Sequence, residues 1–237
     1  MKHALVLCSG GLDSVVTAHY VKKRLNCSDV KIIFFNYNQK SLVQERNCSK
    51  KCAKEISAEF IEIDVRWLGN ITRNLGNKPK KITRKKLKDS SEESKKLYVP
   101  CRNIIFLVYS LAFAESLYIK RKKKYDLFVG FKNEGKEAYP DTTPKFVNEM
   151  NRLSKIGCYK DFQIKAPLIK KDKEDIIRLG AQLRVNLKNT FSCYNSIGGK
   201  HCGYCLSCRL RQEGFYWADI KDPTHYKVKM KDFRKSN

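Results

Sequence analysis

The stretch Ala4-Leu5-Val6-Leu7-Cys8-Ser9-Gly10-Gly11-Leu12-Asp13-Ser14 decides how this chain folds. Ala4 to Cys8 is a short apolar run, Ser-Gly-Gly follows at once, and apolar residues then recur at roughly helical spacing from Leu12 to Leu25. The pattern reads as strand, tight loop, helix. Two glycines let the backbone approach a ligand closely, and the amide groups at the helix start aim their partial positive charge at an anion held there. The loop has no Gly-Lys-Ser/Thr ending, so it is not the Walker loop, and its spacing does not fit the dinucleotide fingerprint. A bare Ser-Gly-Gly is also what an ordinary capped turn looks like. With Asp13-Ser14 attached, directly after an amino-terminal strand, the loop reads as one that can hold a pyrophosphate.

Working outward, Val30 to Tyr37 (VKIIFFNY) reads as a second strand, Gln44 to Ser57 as a helix and Phe60 to Val65 as a third strand. This alternation predicts an α/β fold, a doubly wound parallel sheet with helices on both faces. Asn103 to Tyr118 is a strongly apolar helix ended by the basic run Lys120 to Lys124, and Leu127 to Gly130 is another strand. Lys145 to Ile156 and Lys173 to Leu183 have helical spacing. Between these elements, Lys78 to Lys96 holds nine basic and three acidic residues with almost no apolar content, which predicts a mobile surface loop or an insertion. There is no internal repeat, and the last dozen residues read as a frayed tail.

A chain of 237 residues with 42% hydrophobic content can bury a sizeable core as one large domain or two small ones. Lysine and arginine number 49 against 24 acids, a net charge of +25, which attracts nucleic acid, nucleotides or membrane phosphates without choosing among them. The excess is spread over loops without the aromatic interleaving of a stacking platform, so a nucleic-acid partner is compatible with the sequence and not required by it. No run approaches the roughly 18 apolar residues that cross a bilayer. The amino terminus lacks the apolar core and cleavage site of a signal peptide, and a cytoplasmic location is expected. The oligomeric state stays open, with a homodimer among the options.

Ten cysteines in a chain of this length without an export signal suggest thiols or a metal site. Cys193, Cys202, Cys205 and Cys208 stand at spacings of nine, three and three in SCYNSIGGKHCGYCLSCR. Two overlapping C-x-x-C units put thiolates on one small loop and a fourth cysteine completes a tetrahedron, with zinc the first choice over an iron-sulfur cluster. Four thiolates leave no open position, so the metal is structural. His201, beside Cys202, is a weaker candidate ligand.

The hexapeptide Ser9 to Ser14 resembles the signature of the PP-loop ATP pyrophosphatases, within the adenine nucleotide α hydrolase-like folds. Four segments together resemble one branch of that family, the 7-cyano-7-deazaguanine synthases of the queuosine precursor pathway. They are LCSGGLDS at Leu7 to Ser14, YVPCRNIIFL at Tyr98 to Leu107, AYPD with PLIKKDKEDI between Ala138 and Ile176, and TFSCYNSIGG with CGYCLSCRLR between Thr190 and Arg211. The resemblance implies a nucleotide-binding domain over 1–189 and a cysteine-rich segment over 190–237 packed on it. It implies an ATP site at Cys8, Ser9, Gly10, Gly11, Leu12, Asp13 and Ser14, with Asp13 placing magnesium. It further implies an enzyme that uses ATP to adenylate the carboxylate of 7-carboxy-7-deazaguanine, lets ammonia make the amide, and dehydrates that amide to the nitrile with a second ATP.

Candidate roles follow from the same segments. Lys173 can neutralise phosphate charge, although one basic residue among 49 is by default solvated. Arg102 and Asn103 follow Pro100 at a helix start, where a guanidinium can meet phosphate or carboxylate bidentately or simply cap. Tyr139 and Asp141 can stack on and hydrogen-bond to a guanine-like ring, or form an ordinary Tyr-Pro-Asp turn. The chain also departs from the family. Gln39-Lys40-Ser41 stands where the family has Gln-Arg-His, Cys101 replaces a glycine, and Asn133 to Ala138 and Thr142-Thr143 differ around Tyr-Pro-Asp. Loss of the histidine removes a proton carrier near neutral pH, which keeps open a ligase that stops at the amide or uses another amine, and a PP-loop enzyme acting on tRNA.

Overall fold

The first strand, β1 (His3–Leu7), is buried on both sides, with Ala4 and Val6 facing one helix layer and Leu5 the other. Such alternation follows from the pleat, and a strand covered on both faces is the mark of a parallel sheet. In the computed structural model, which describes residues 2–72, 81–83, 87, 94–95, 98–132 and 139–228, β1 is the centre of a five-stranded sheet. Its partners are β2 (Asp29–Asn36), β3 (Glu59–Asp64), β4 (Tyr125–Val129) and β5 (Ile164–Lys165), in the order β3-β2-β1-β4-β5 with every pair parallel. Leu7 at the end of β1 lies opposite Ile33 on one side and Val129 on the other.

Helices α1 (Leu12–Lys23) and α2 (Leu42–Glu55) cover one face together with α6 (Lys173–Gln182) and α7 (Leu206–Ala218). Val15, Val16, Cys52, Ile176, Ile177 and Phe215 pack there against Ala4, Val6 and Ile32. Short α3 (Arg66–Thr72) follows β3, and α4 (Arg102–Arg121) and α5 (Pro144–Gly157) cover the opposite face. There Leu107, Leu111, Val147 and Met150 pack on Leu5, Ile33 and Leu127. The predicted doubly wound sheet is therefore the observed one, with the ends of the predicted elements shifted by up to three residues and with β5, α3 and α7 added.

Two expectations change. Helix α4 is long and apolar enough, by length and composition alone, to cross a membrane, with a mean hydropathy of 1.3, whereas the sequence reading found no such run. Its Leu107, Leu111, Ala114 and Leu117, three or four residues apart, are instead buried on the sheet. The basic stretch is not free throughout: Ile82 is buried and its N–H donates to the Tyr204 carbonyl at 2.9 Å, which ties residues 81–83 to the cysteine segment. Apart from residues 87 and 94–95, the rest of that stretch lies outside the described residues, as do the Asn133 to Ala138 segment and residues 229–237 of the tail, whereas Lys227 and Val228 donate from their N–H groups to the His201 and Cys202 carbonyls. Helix α7 carries no clean apolar stripe in the sequence because it buries Arg209 and Arg211 along with Leu206 and Phe215.

The glycine-to-cysteine departure now has a backbone meaning. Cys101 caps α4 in the left-handed region, at φ 56°, where a Cβ crowds the following carbonyl and glycine does not. Cys101→Gly is expected to raise the free energy of unfolding by about 0.5 to 1 kcal/mol, the left-handed cost offset partly by glycine's entropy. Urea unfolding of the two proteins side by side measures it.

Candidate active site and metal centre

Strands β1 and β4 are neighbours whose chains leave toward opposite sides of the sheet, and a crevice opens beyond their carboxyl ends, where open α/β sheets bind ligands. A cavity of about 290 Å³ lies there. Its wall takes Ser9 and Gly11 from the loop after β1, Asp13 and Ser14 from the first turn of α1, Gly130 and Phe131 after β4, Tyr37 and Gln39 from the β2–α2 connection, and Glu45 from the first turn of α2. Arg102, Asn103 and Phe106 come from the start of α4, Lys173 from the start of α6, and Ser192 and Tyr194 from the cysteine segment.

The loop is held by its backbone. The Cys8 N–H donates to the Ile33 carbonyl at 2.9 Å, the Cys8 carbonyl accepts from Ser49 Oγ at 2.9 Å, and the Gly10 carbonyl accepts from the Phe191 N–H at 2.9 Å. Gly10 has φ +75°, and a Cβ there would overlap the Glu45 carbonyl oxygen, so only glycine fits. Ser14 Oγ donates to the Gly11 carbonyl at 3.0 Å and lies 3.2 Å from Ser9 Oγ, while the Gly11 N–H donates to Ser9 Oγ at 3.3 Å. Cys8 and Leu12 are buried beneath the loop. The first turn of α1 thus presents hydroxyls and amides to the cavity, a site for phosphate oxygens.

Lys173 reaches across from α6. Its Nζ donates to both oxygens of Asp13, at 2.7 and 2.6 Å. Lys173, singled out in the sequence only through its family-like segment, is thus set beside the loop by tertiary packing.

Arg102 also faces the cavity. Its NH1 donates to the Tyr37 hydroxyl at 3.4 Å and its guanidinium lies 5.7 Å from the centre of the Tyr37 ring. Asn103 and Asp141 meet each other: the Asn103 N–H donates to Asp141 Oδ2 and Asn103 Nδ2 donates to the Asp141 carbonyl, both at 3.3 Å. Asp141 is buried and acts as a remote cap on α4, a carboxylate at a helix amino terminus. Tyr139 lines the cavity, stacks on Tyr98 at 5.6 Å and donates to the Ser94 carbonyl at 2.9 Å. Phe35 and Phe106, stacked at 4.1 Å, supply an apolar wall.

Ser41, in place of the family histidine, is buried and donates to the Cys193 carbonyl at 2.7 Å. Sequence reasoning missed Tyr37, Gln39, Glu45 and Phe106, which no spacing marks as a set. Glu45 stands out among them because burial pushes its carboxyl up to about 7, against a hydrogen bond from Gln39 and the charge of Arg102.

The four cysteines meet as the spacing predicted. Cys193, Cys202, Cys205 and Cys208 are buried, with all four sulfurs within 4.8 Å of one another. Cys193 Sγ and Cys205 Sγ are 3.9 Å apart, as are Cys202 Sγ and Cys208 Sγ. A tetrahedral ion bonded at about 2.3 Å needs sulfurs about 3.8 Å apart, so the cluster fits a single ion. Backbone N–H groups of Asn195 and Cys202 donate to Cys193 Sγ and that of Cys205 to Cys202 Sγ, all at 3.3 Å, which favours thiolates. His201 is not among the sulfurs. Its Nε2 accepts from the Ser192 N–H at 3.1 Å, and burial, aided by the Arg211 charge, lowers it to about 3, leaving a neutral ring.

Fold and site together define a PP-loop nucleotide-binding α/β protein with a segment whose four cysteines could hold a metal ion. The family model described as queuosine biosynthesis protein QueC matches residues 3–219, and the chain belongs to that family. The 7-cyano-7-deazaguanine synthase of Methanosphaera stadtmanae is 34% identical over 230 residues, covering 94% of this chain and 97% of the relative. That of Methanocaldococcus jannaschii is 33% identical over 235 residues, with 94% and 98% covered. Among solved structures, the U34-tRNA thiolase NcsA from Methanococcus maripaludis with its [4Fe-4S] cluster aligns over 98% of this chain and 76% of its own at a TM-score of 0.48 and 14% identity.

Arg211 joins the metal segment to the sheet layer. Buried in α7, it donates from Nε to Thr224 Oγ1 at 2.7 Å, from NH1 to Thr190 Oγ1 at 2.8 Å and Ser192 Oγ at 3.2 Å, and from NH2 to the Leu187 carbonyl at 2.9 Å. Arg211→Met keeps the apolar stem but strands buried acceptors, so the free energy of unfolding is expected to fall by about 2 kcal/mol in guanidinium titration.

Proposed function

We propose that this chain makes 7-cyano-7-deazaguanine from 7-carboxy-7-deazaguanine, ammonia and ATP. The observation that carries the reading is the cavity at the switch point, which joins a phosphate loop to an aromatic wall and a guanidinium in one space. The names of the relatives, matched over nearly their full length, support it. A carboxylate is a poor electrophile; adenylation turns one of its oxygens into a good leaving group, and positive groups fixed at the loop absorb the developing charge.

In this reading residues 1–189 form the nucleotide-binding unit and 190–237 the metal-bearing segment. Cys8 to Ser14 hold the pyrophosphate portion of ATP, and Lys173 offsets its charge. Asp13, a carboxylate in the cavity wall, is the hard oxygen donor that suits magnesium, a Lewis acid for phosphate oxygens. Arg102 meets the substrate carboxylate or a phosphate, and the Tyr139 ring supplies a face for the deazaguanine. Asn103 and Asp141 contribute by fixing the start of α4 and hence Arg102.

For the cysteine centre we propose zinc. The sulfur separations support one ion bonded to all four thiolates, whereas a four-iron cluster binds one thiolate per iron and holds them further apart. Elemental analysis is expected to find one zinc per chain, and stripping it with a strong chelator is expected to lower the unfolding temperature by several degrees and abolish turnover. Bound iron, or a metal-free protein of unchanged stability, contradicts the assignment.

The loop has donors for a leaving pyrophosphate and no Walker lysine for terminal phosphate transfer. Supplied with ATP, magnesium, ammonia and the carboxylate, the protein is expected to release AMP and pyrophosphate, with the nitrile identified by mass spectrometry. Asp13→Asn is expected to slow this at least about tenfold. ADP as the main product overturns the reading, and an amide that persists with ATP in excess overturns its nitrile step.

A further inference from the structure

Glu45 lies in the first turn of α2 and lines the cavity with Ser9, Asp13 and Arg102. The contact between its carbonyl oxygen and Gly10 sets this turn against the phosphate loop. Its side chain is oriented as well. Gln39 Nε2 donates to Glu45 Oε2 and to the Phe35 carbonyl, both at 3.1 Å, while Gln39 Oε1 accepts from the Tyr37 N–H at 3.0 Å. The one hydrogen-bond partner of this carboxylate among the described residues is therefore an uncharged amide, itself anchored to the end of β2.

We infer that Glu45 is the catalytic base that takes protons from nitrogen in the carbon–nitrogen steps, an assignment that rests on the ligase reading above. When ammonia attacks the acyl adenylate, a C–N bond forms, the C–O bond to AMP breaks, and one proton must leave nitrogen as the amide is made. When the amide oxygen is adenylated and pyrophosphate departs, the nitrogen still carries two protons. Both leave it as the second C–O bond to AMP breaks and the C≡N bond completes. No redox change occurs, and the second ATP removes the oxygen. The balance requires a group in the cavity that accepts a proton from nitrogen and passes it to water.

Glu45 suits that task by position and by environment. The charged and titratable groups around it are Arg102 from α4, Tyr37 at the end of β2, Tyr194 from the cysteine segment and Cys48 one turn along its own helix. Burial raises the carboxyl to about 7 and outweighs the hydrogen bond from Gln39 and the charge of Arg102. Such a group is ionised in about half the molecules at neutral pH, the condition for efficient proton transfer. Ser41, four residues earlier, has its hydroxyl committed to the Cys193 carbonyl. The turn that lacks the family's histidine thus still brings a group titrating near neutrality to the cavity.

The test compares wild type with Glu45→Gln, which keeps the shape and the bond to Gln39, and with Glu45→Asp, which keeps a carboxylate. Two rates are followed across pH 5.5 to 8.5: carboxylate-dependent exchange of pyrophosphate into ATP without ammonia, and nitrile formation with ammonia. Glu45→Gln is expected to slow nitrile formation about a hundredfold, to abolish the acid limb with its midpoint near 7, and to slow exchange far less. Glu45→Asp is expected to retain that limb at a reduced rate. A Glu45→Gln protein with the wild-type rate and pH profile overturns the assignment, and so does one that loses exchange and nitrile formation in equal proportion. Wild-type protein without carboxylate-dependent exchange removes the ligase reading itself, an outcome distinct from both.

Discussion

The backbone of the loop after β1 is fixed from three sides at once, and the remainder of the site is arranged around that fact. Ile33 of β2 accepts the Cys8 N–H, Ser49 of α2 binds the Cys8 carbonyl, and Phe191 of the cysteine segment binds the Gly10 carbonyl. A phosphate site built from backbone amides works only if those amides are already oriented, because ordering them at the moment of binding costs conformational entropy. The sheet, α2 and the metal segment each supply one anchor. Gly10 then brings the first turn of α2 close enough for its side chains to share the cavity.

This arrangement ties the four-cysteine cluster, which could hold a metal ion, to the loop and the cavity wall. The residues between the sheet layer and the first cysteine ligand run past the loop: Phe191 binds Gly10, Ser192 and Tyr194 line the cavity, and Ser41 holds the Cys193 carbonyl from the start of α2. Arg211 closes the same region from α7 with four hydrogen bonds. An ion held by the four sulfurs would therefore also restrain the loop and one wall of the cavity.

Charge within the cavity is graded rather than uniform. Asp13 is paired with Lys173 beside the loop, Arg102 lies over Tyr37, and the Glu45 carboxylate accepts from the Gln39 amide. Two carboxyls in one cavity thus have separate environments. One meets a lysine across the cavity, whereas burial pushes the other up to about 7, although their side chains differ by one methylene. The large net positive charge of the chain has no visible part in this division; local partners decide it.

By itself the sequence determined the elements and their class. Apolar runs, helical spacing and the Ser-Gly-Gly loop are local signals, and the alternation of strands and helices leaves little choice but a parallel sheet covered on both faces. It also determined the four-cysteine set, because three of the ligands lie within seven residues and their spacing carries the geometry. Tertiary structure decided what depends on partners far away in the chain. Lys173, a candidate in the sequence only by resemblance, meets Asp13, 160 positions away, because α6 packs beside α1. Asp141, read as a substrate contact, caps α4 across 38 positions. Glu45 carries no mark in its neighbours; its burial and its raised carboxyl arise from β2, α4 and the cysteine segment closing around it. Periodicity and spacing report short-range order, whereas desolvation and charge pairing are properties of an assembled cavity, and no stretch of chain contains them.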